Sequence, residues 1–280
     1  MVAAANAAAL DFSAPVEKLG GDFKFTEGPV WVASNKHLLF TDIPANKIVS
    51  FKDGKFTTFR APSSNANGLT LDKQGRLIAF EHGARRVTRT EADGTLTVLA
   101  ERHEGKRLNS PNDGVVKSDG AIYFTDPPCG VKPADRELDF QGVYRISPDG
   151  KTLTLLVRDF VLPNGIAFAP DEKTLYVNDT EAGHLRAFDV AADGSLSNSR
   201  VFAKTPNADG MKVDIEGNVY CTSATGVMVF DRAGKLLGTI ATPEQAANCA
   251  FGGADWKSLY MTCRSGVYRV RISVPGSKVP

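Results

Sequence analysis

Short apolar segments separated by polar turns recur along the whole chain. In each copy a polar residue, usually followed by glycine, precedes an alternating apolar segment; a turn and a second apolar segment follow. The copies begin with EGPVWVASNKHLLFTD, NGLTLDKQGRLIAFE, NDGVVKSDGAIYFTD, NGIAFAPDEKTLYVND, DGMKVDIEGNVYCTS and NCAFGGADWKSLYMTC. Their first residues, which we call the openers, are Glu27, Asn67, Asn112, Asn164, Asp209 and Asn248. Successive openers are 39 to 52 residues apart, a period that indicates a repeat architecture.

The pattern within each copy is typical of four short strands joined by tight turns. Dipeptides such as Asp149-Gly150 mark the turns, and no segment has a sustained helical period. Six such copies predict an all-β, six-bladed β-propeller, whose sheet edges are protected by radial closure. The last copy has only three strands, so we expect Val16 to Leu19 to supply the fourth. Residues 1–280 then form a single domain, with 1–13 as a flexible tail.

The predicted topology places all six openers together. Successive strands of an antiparallel blade reverse direction, so the openers are expected at one mouth of the central channel. The third copy leaves two possibilities, because either Asn112-Asp113 or Asp113-Gly114 fits the opener pair.

The chemistry of this ring of openers favours a hard cation. It contains two carboxylates and four amides but no His or Cys, which suits Ca²⁺, Mg²⁺ or Mn²⁺ better than Zn²⁺. An Asn before Gly is by itself typical of a turn. For Glu27, Asn164 and Asp209 around one channel, a cation site is the favoured interpretation instead of three turns, because converging carboxylates need a counter-charge.

Several loops are expected at the same mouth. The segment from Pro127 to Gln141 is much longer than the connections between second and third strands in the other blades. This length predicts a lid-like loop over the channel; a disordered surface insertion is the alternative. His82 and His184 follow the second strands of blades two and four. Arg107, within the segment Glu101 to Pro111, is a candidate to bind substrate oxygens.

Composition excludes several classes of protein. Lys and Arg number 33 against 32 Asp and Glu, so the chain has no overall charge footprint for nucleic acid or an anionic membrane. No apolar run approaches the ~18 residues of a membrane span. Met1 to Leu10 is rich in Ala but lacks a basic region, so an intact signal peptide is not expected. A cytoplasmic location and a periplasmic one after signal removal both remain open, as does the oligomeric state.

The four cysteines are too scattered for a disulfide framework. If residues 248–252 and 258–263 form a hairpin, Cys249 and Cys263 lie on adjacent strands, and one bridge is possible.

Four segments resemble the gluconolactonase, regucalcin and senescence-marker-protein family, whose distant relatives include diisopropyl-fluorophosphatase. They are TEGPVW, RLNSPNDGVVKSDGAIYFTDPP, LPNGIAFAPDEKTLYVND and ADGMKVD. The resemblance covers the chain from about Phe23 to Ile272. It implies a six-bladed propeller that holds a divalent metal, generally calcium, and hydrolyses sugar lactones.

The resemblance also assigns roles to individual residues. It places the metal ligands at Glu27, Asn112, Asn164 and Asp209, and it favours Asn112 as the third opener. Ser110 stands where vertebrate relatives have a substrate-binding arginine, so Arg107 and Asn109 are candidates to replace it. The candidate substrate contacts are Arg107, Asn109, Asn112, His82 and His184.

The hypothesis from sequence is therefore a divalent-metal-dependent lactonase. Calcium is the expected cofactor, with Mg²⁺, Mn²⁺ and Zn²⁺ as alternatives, and the substrate is a small lactone. Asp209 is the expected general base, or else it orients the attacking water. Two other functions remain open: hydrolysis of organophosphates on the same metal, and a non-catalytic propeller that binds a partner.

Overall fold

The computed structural model describes residues 10–278, which form six four-stranded antiparallel sheets and one two-stranded hairpin. The first strand is β1 (Glu17–Gly20). Blade one contains β2 (Thr26–Val32), β3 (His37–Asp42), β4 (Lys47–Lys52) and β5 (Lys55–Arg60). Blade two contains β6 (Ala66–Leu71), β7 (Leu77–Glu81), β8 (Arg86–Thr90) and β9 (Leu96–Ala100). The hairpin is β10 (Arg102–His103) and β11 (Lys106–Arg107).

The remaining blades follow in chain order. Blade three contains β12 (Gly114–Val116), β13 (Ile122–Asp126), β14 (Gln141–Ile146) and β15 (Leu153–Phe160). Blade four contains β16 (Pro163–Phe168), β17 (Thr174–Asp179), β18 (His184–Val190) and β19 (Leu196–Lys204). Blade five contains β20 (Met211–Val213), β21 (Val219–Ser223), β22 (Gly226–Phe230) and β23 (Leu236–Ala241). Blade six contains β24 (Ala246–Gly252), β25 (Ser258–Cys263) and β26 (Val267–Arg271). The predicted six-bladed propeller is confirmed.

The last blade is closed by the N-terminal strand, as the sequence predicts. Strand β1 pairs antiparallel with β26, and Glu17 lies opposite Arg269. The predicted tail falls largely outside the described residues. Of its described part, Leu10 and Phe12 pack against the hydrophobic cluster shared by blades five and six.

Six hydrophobic clusters fill the spaces between neighbouring blades. Side chains alternate between the two faces of a strand, so one sheet packs against two neighbouring blades. Leu39 of β3 packs toward blade two, whereas Leu38 and Phe40 pack toward blade six. The middle strands are therefore buried on both faces. Each blade packs against both of its neighbours, so the ring must close for every blade to be covered on both faces.

Glycine follows most openers because first strands approach each other closely around the channel. The amide of Gly165 donates to the carbonyl of Asp209 in the next blade, and Gly68 does the same to Asn112, at 3.1 and 2.7 Å. A Cβ at Gly165 would lie 2.3 Å from the Asp209 carbonyl oxygen, and one at Gly68 would lie 2.5 Å from the Asn112 oxygen. Close packing of neighbouring backbones thus explains the repeated pair of opener and glycine.

The possible disulfide is absent. The hairpin of β24 and β25 forms, but its register places Cys249 opposite Met261 and Cys263 opposite Ala246. Both thiols are free. The two cysteines sit on neighbouring strands without facing each other, so proximity in the hairpin does not lead to a bridge.

The loop from Pro127 to Phe140 joins β13 to β14 and contains a 3₁₀ turn, Pro133–Asp135. We call this loop the lid. Among the described residues we find no helix with the length and apolar character needed to cross a bilayer.

We predict that Gly165→Ala destabilises the fold. The added methyl group would press on the Asp209 carbonyl, and overpacking of this kind costs about 1–3 kcal/mol. Chemical denaturation measures the loss. Gly21→Ala is the control, because a Cβ there meets the flexible end of Lys18 and makes only an ordinary 3.7 Å contact with the Ser265 carbonyl oxygen. If Gly165→Ala were as stable as the parent, close approach would not be the reason for the glycine.

Candidate active site

Side chains from blades one, three and six meet in the centre of the channel. The side-chain amide nitrogen of Asn248 donates to Glu27 Oε2 at 3.0 Å and to Asp113 Oδ2 at 3.2 Å. Glu27 Oε2 also accepts the Gly28 amide at 2.6 Å. These residues are far apart in sequence, and ring closure brings them together.

A second group joins blades one, four and five. The Asp209 carboxyl interacts with the side-chain amide of Asn164 and with Glu27. Glu27 is 3% exposed and Asn164 7% exposed, and Asn164 Oδ1 is a buried oxygen without a hydrogen-bond partner in the described structure. An unpaired buried oxygen beside two carboxylates offers a vacant acceptor, which is the arrangement that a cation satisfies.

Burial and repulsion between carboxylates raise the pKa values of Glu27 and Asp209. Burial raises the pKa of Glu27 to about 7; the charge of Asp113 also raises it, while the Gly28 and Asn248 donors oppose the rise. The pKa of Asp209 is raised well above its ordinary value, first by burial and then by Glu27. The donors in the protein do not fully compensate the negative charge.

The charge of a lysine, Lys212, acts on Glu27 and lowers its pKa. Lys212 Nζ lies 4.0 Å from Asp113 Oδ2, and it also donates to the Met211 carbonyl at 2.9 Å. The lysine thus lies within ion-pair distance of Asp113, and its charge acts on Glu27 from farther away.

The donor set fits a hard divalent cation. In the part of the chain that the structure describes, no three His, Cys, Asp or Glu side chains form a metal-binding group by themselves. Amide oxygens must therefore complete any such site, and Asn164 Oδ1 is available for this. Carboxylate and amide oxygens are the ligands that Ca²⁺ and Mg²⁺ prefer.

Backbone hydrogen bonds show which residue is the opener in blade three. The Asn112 amide donates to the Thr125 carbonyl at 2.9 Å, and Asp209 makes the same bond to Thr222 at 3.3 Å. Asn112 and Asp209 are therefore equivalent, and Asp113 stands where blades one, two, four and five have glycine.

In blade six the equivalent residue is Ala247 rather than Asn248. The Gly210 amide donates to the Ala247 carbonyl, as Gly68 donates to Asn112. Ala246 lies opposite Cys263 at the end of the second strand, as Thr26, Ala66 and Pro163 lie opposite the last residues of their second strands, so Asn248 falls one residue past the opener, in the glycine place. The sequence expectation that Asn248 is an opener is therefore wrong by one residue, because Cys263 follows Ala247 by 16 positions, whereas the second strands of the other blades end 14 or 15 positions after their openers.

Three functional candidates were missed or misread from sequence: Asp113, Lys212 and the bridging role of Asn248. A signal for two of them exists in the repeat, since blades three and six lack glycine after the opener. Where glycine is replaced, the side chain enters the channel. No local pattern identifies Lys212.

The lid covers the ring at one end. The thiol of Cys129 interacts with the side-chain amide of Asn112, and its pKa is raised to about 11 by burial and then by the charge of Asp209. The next residue, Gly130, packs on His82: a Cβ there would lie 2.1 Å from His82 Nε2. The candidate His82 thus contacts the lid, and its Nδ1 is buried without a partner in the described structure.

Asn109 and Arg107 are also occupied near the lid. The side-chain nitrogen of Asn109 donates to the carbonyls of Asp126 and Phe140, at 3.1 and 2.9 Å, and so joins the two ends of the lid. Arg107 Nη2 donates to the Ala84 carbonyl at 3.0 Å. Both side chains are engaged with the backbone, and their substrate role stays a prediction.

The other two substrate candidates are separated. Asn112 is an opener within the ring and is 4% exposed. His184 begins β18 and pairs with Asp179 and Lys204 at the rim of blade four, where it is half-buried. The structure thus distributes the five candidates between the ring, the lid and the blade-four rim.

The sequence model of the SMP-30/Gluconolactonase/LRE-like region matches residues 25–265. The chain belongs to this family. The gluconolactonase of Zymomonas mobilis is 32% identical, and the match covers 96% of this chain and 84% of that protein. The solved gluconolactonase of Xanthomonas campestris is 39% identical, with a TM-score of 0.89 and coverage of 95% and 92%. A calcium-binding regucalcin from Agrobacterium tumefaciens shares the fold at 21% identity, with a TM-score of 0.83 and coverage of 95% and 97%.

We predict that Glu27→Gln stabilises the metal-free protein. At pH 8 the variant removes a buried charge whose pKa lies near 7 rather than 4.5, although the amide also loses hydrogen bonds. The expected gain is about 1–2 kcal/mol, measured by thermal unfolding with chelator present. Glu81→Gln is the matched control. That buried carboxylate is paired with Arg60 and Arg86, so its loss should destabilise the protein. Equal destabilisation of both variants would show that Glu27 is already compensated.

Proposed function

We propose that this protein is a hydrolase of sugar lactones that depends on a divalent cation, with Ca²⁺ as the preferred ion. The observation that carries the proposal is the contact between the buried Glu27 and the half-buried Asp209, beside the unpartnered Asn164 Oδ1. Family membership supports the reaction class, since relatives that cover most of this chain are gluconolactonases.

Glu27, Asn112, Asn164 and Asp209 would hold the cation. A bound divalent cation supplies a Lewis acid that polarises the lactone carbonyl and stabilises the negative charge formed on its oxygen. The amide donors on Glu27 hold its carboxylate in place: the Gly28 N–H at 2.6 Å and the Asn248 amide at 3.0 Å. This fixed orientation leaves little reorganisation for the reaction.

Asp209 accepts the proton that the attacking water loses. Its raised pKa, caused by burial and by Glu27, makes the carboxylate a stronger base than an exposed aspartate. The interaction with the Asn164 amide orients the carboxyl group. If the same carboxylate is bound directly to the cation, its basicity falls and its role becomes the orientation of the water.

The lid contributes by covering the reaction. Cys129 lies against Asn112, so a lactone that contacts the Asn112 amide also meets the lid. Asn109 fixes the lid ends through the Asp126 and Phe140 carbonyls. Exclusion of bulk water strengthens the electrostatic interactions in the ring.

We predict that Asp209→Asn lowers kcat for gluconolactone by about 10²- to 10⁴-fold, the usual contribution of a general base. The variant should remain folded, because the amide occupies the same volume. Steady-state titration at constant pH measures kcat, and thermal stabilisation by Ca²⁺ reports whether the cation still binds. The exposed Asp149→Asn is the control. Activity near that of the parent with the cation retained would remove Asp209 from the reaction.

A second test addresses the cation and the substrate together. We expect chelator to abolish lactone hydrolysis and Ca²⁺ to restore it more fully than Mg²⁺, Mn²⁺ or Zn²⁺. Metal analysis and rates on gluconolactone, other sugar lactones and an organophosphate make the comparison. A higher kcat/KM for the organophosphate would favour a phosphotriesterase. No turnover with any ion, together with co-purification of a partner protein, would favour a binding module.

A further inference from the structure

A cavity of about 530 Å³ lies between the lid and blade two, beside the ring of openers. Its charged lining residues are Arg85, Arg107, Lys132, Arg136, Asp135 and Glu137. Four cationic side chains thus face two carboxylates. The cavity has an excess of positive charge, opposite to that of the ring.

Arg85 is the most buried of these cations, at 8% exposed. Its Nε donates to the carbonyls of Leu108 and Asn109 at 2.7 and 3.0 Å, and Nη1 donates to the Asp135 carbonyl at 2.9 Å. Nη2 is buried and has no partner in the described part of the chain. All three bonds end on neutral carbonyl groups, and no carboxylate of residues 10–278 forms an ion pair with this guanidinium.

A second guanidinium stands close to the first. Burial lowers the pKa of Arg85 and the charge of Arg107 lowers it further, while the carboxylates of Glu137, Asp126 and Asp135 act in the opposite direction. The nearby Glu137 carboxylate accepts the Arg107 backbone amide at 2.8 Å and lies 3.8 Å from Arg102 Nη1. Its charge is therefore shared with a residue outside the cavity.

The remaining two cations belong to the lid itself. Lys132 and Arg136 are exposed and form no ion pair within residues 10–278. Two adjacent guanidiniums, an unpaired buried N–H and two free lid cations are the features with which proteins bind carboxylates and phosphates.

We propose that this cavity binds the carboxylate or phosphate group of a small organic acid. Its volume is within the range of pockets for small molecules. It is adjacent to the ring, because Gly130 lines the cavity and Cys129, the preceding residue, contacts Asn112. Opening of a sugar lactone forms an aldonate, so the product has the required chemistry. That match depends on the proposed function, whereas the anion site does not.

Calorimetric titration of the full-length protein, stripped of metal by a chelator that is then removed by gel filtration, tests the site without turnover. The probes are gluconate, 6-phosphogluconate and inorganic phosphate, with sorbitol as the uncharged match to gluconate. We expect saturable binding of an anion, weakened by added salt, and none of sorbitol. Gluconate binding identifies a carboxylate site, and binding of the two phosphates alone identifies a phosphate site.

Variants connect that binding to the cavity. Lys132→Met/Arg136→Met should raise the Kd about fivefold, since exposed charges contribute modestly. Arg85→Lys should raise it at least about tenfold, because lysine cannot reproduce the guanidinium fork. Lys55→Met, on the outer strand of blade one, is the control for net charge. Thermal unfolding shows whether each variant is folded. If the folded lid variant and the folded Arg85→Lys variant both bind the anion like the parent, the proposal is wrong. It is also wrong if no anion binds the parent saturably.

Discussion

Hydrogen bonds between neighbouring first strands at the channel mouth are the constraint on which the site depends. Besides the glycine amides, hydroxyl groups of the second strands take part: Thr125 Oγ1 donates to the Asn164 carbonyl and Thr222 Oγ1 to the Ala247 carbonyl, at 2.6 and 2.8 Å. The backbone carbonyls at these opener places are thereby bound to the adjacent blade. Their side chains are left to project toward the axis, where six blades converge. A propeller closed in this way concentrates polar groups in its channel whatever their charge.

The charge of those groups then decides what the channel can do. The charge of Glu27 raises the pKa of Asp209, and the third carboxylate, Asp113, raises the pKa of both. Asn248 donates to both Glu27 and Asp113, and Lys212 lies 4.0 Å from Asp113. Asp209 stands next to the vacant oxygen of Asn164, and its pKa stays well above the ordinary value despite the Asn164 amide. Full compensation by the protein would give a more stable channel with no affinity for a cation. The proposed activity thus depends on the repulsion between carboxylates that the protein's own hydrogen-bond donors and lysine do not cancel.

Sequence patterns predict the fold well and the details of the site less well, for a physical reason. Blade number, the closing strand and the glycine places follow from period-two alternation and from turn chemistry, both of which are local. Spacing assigns the opener of blade six to Asn248, one residue too far along the chain, because the extra residue between Ala247 and Cys263 becomes visible only when β24 pairs with β25. The contact of Lys212 with Asp113 crosses the channel, and no spacing along the chain encodes it. The same holds for Cys249 and Cys263, whose register in the hairpin keeps them apart.

The departures from the repeat are concentrated around blades two and three. The hairpin of β10 and β11, the long lid and the aspartate in the glycine place all occur there. One end of the lid, at Cys129, touches the negative ring, and the residues from Lys132 onward line the positive cavity. A neutral lactone experiences little force from either region. Hydrolysis creates an anion, and only then do the two regions act differently, because the cavity has an excess of positive charge whereas the ring carboxylates would offset the charge of the bound cation. Under the proposed function, this separation of charge by a single loop favours movement of product away from the ring.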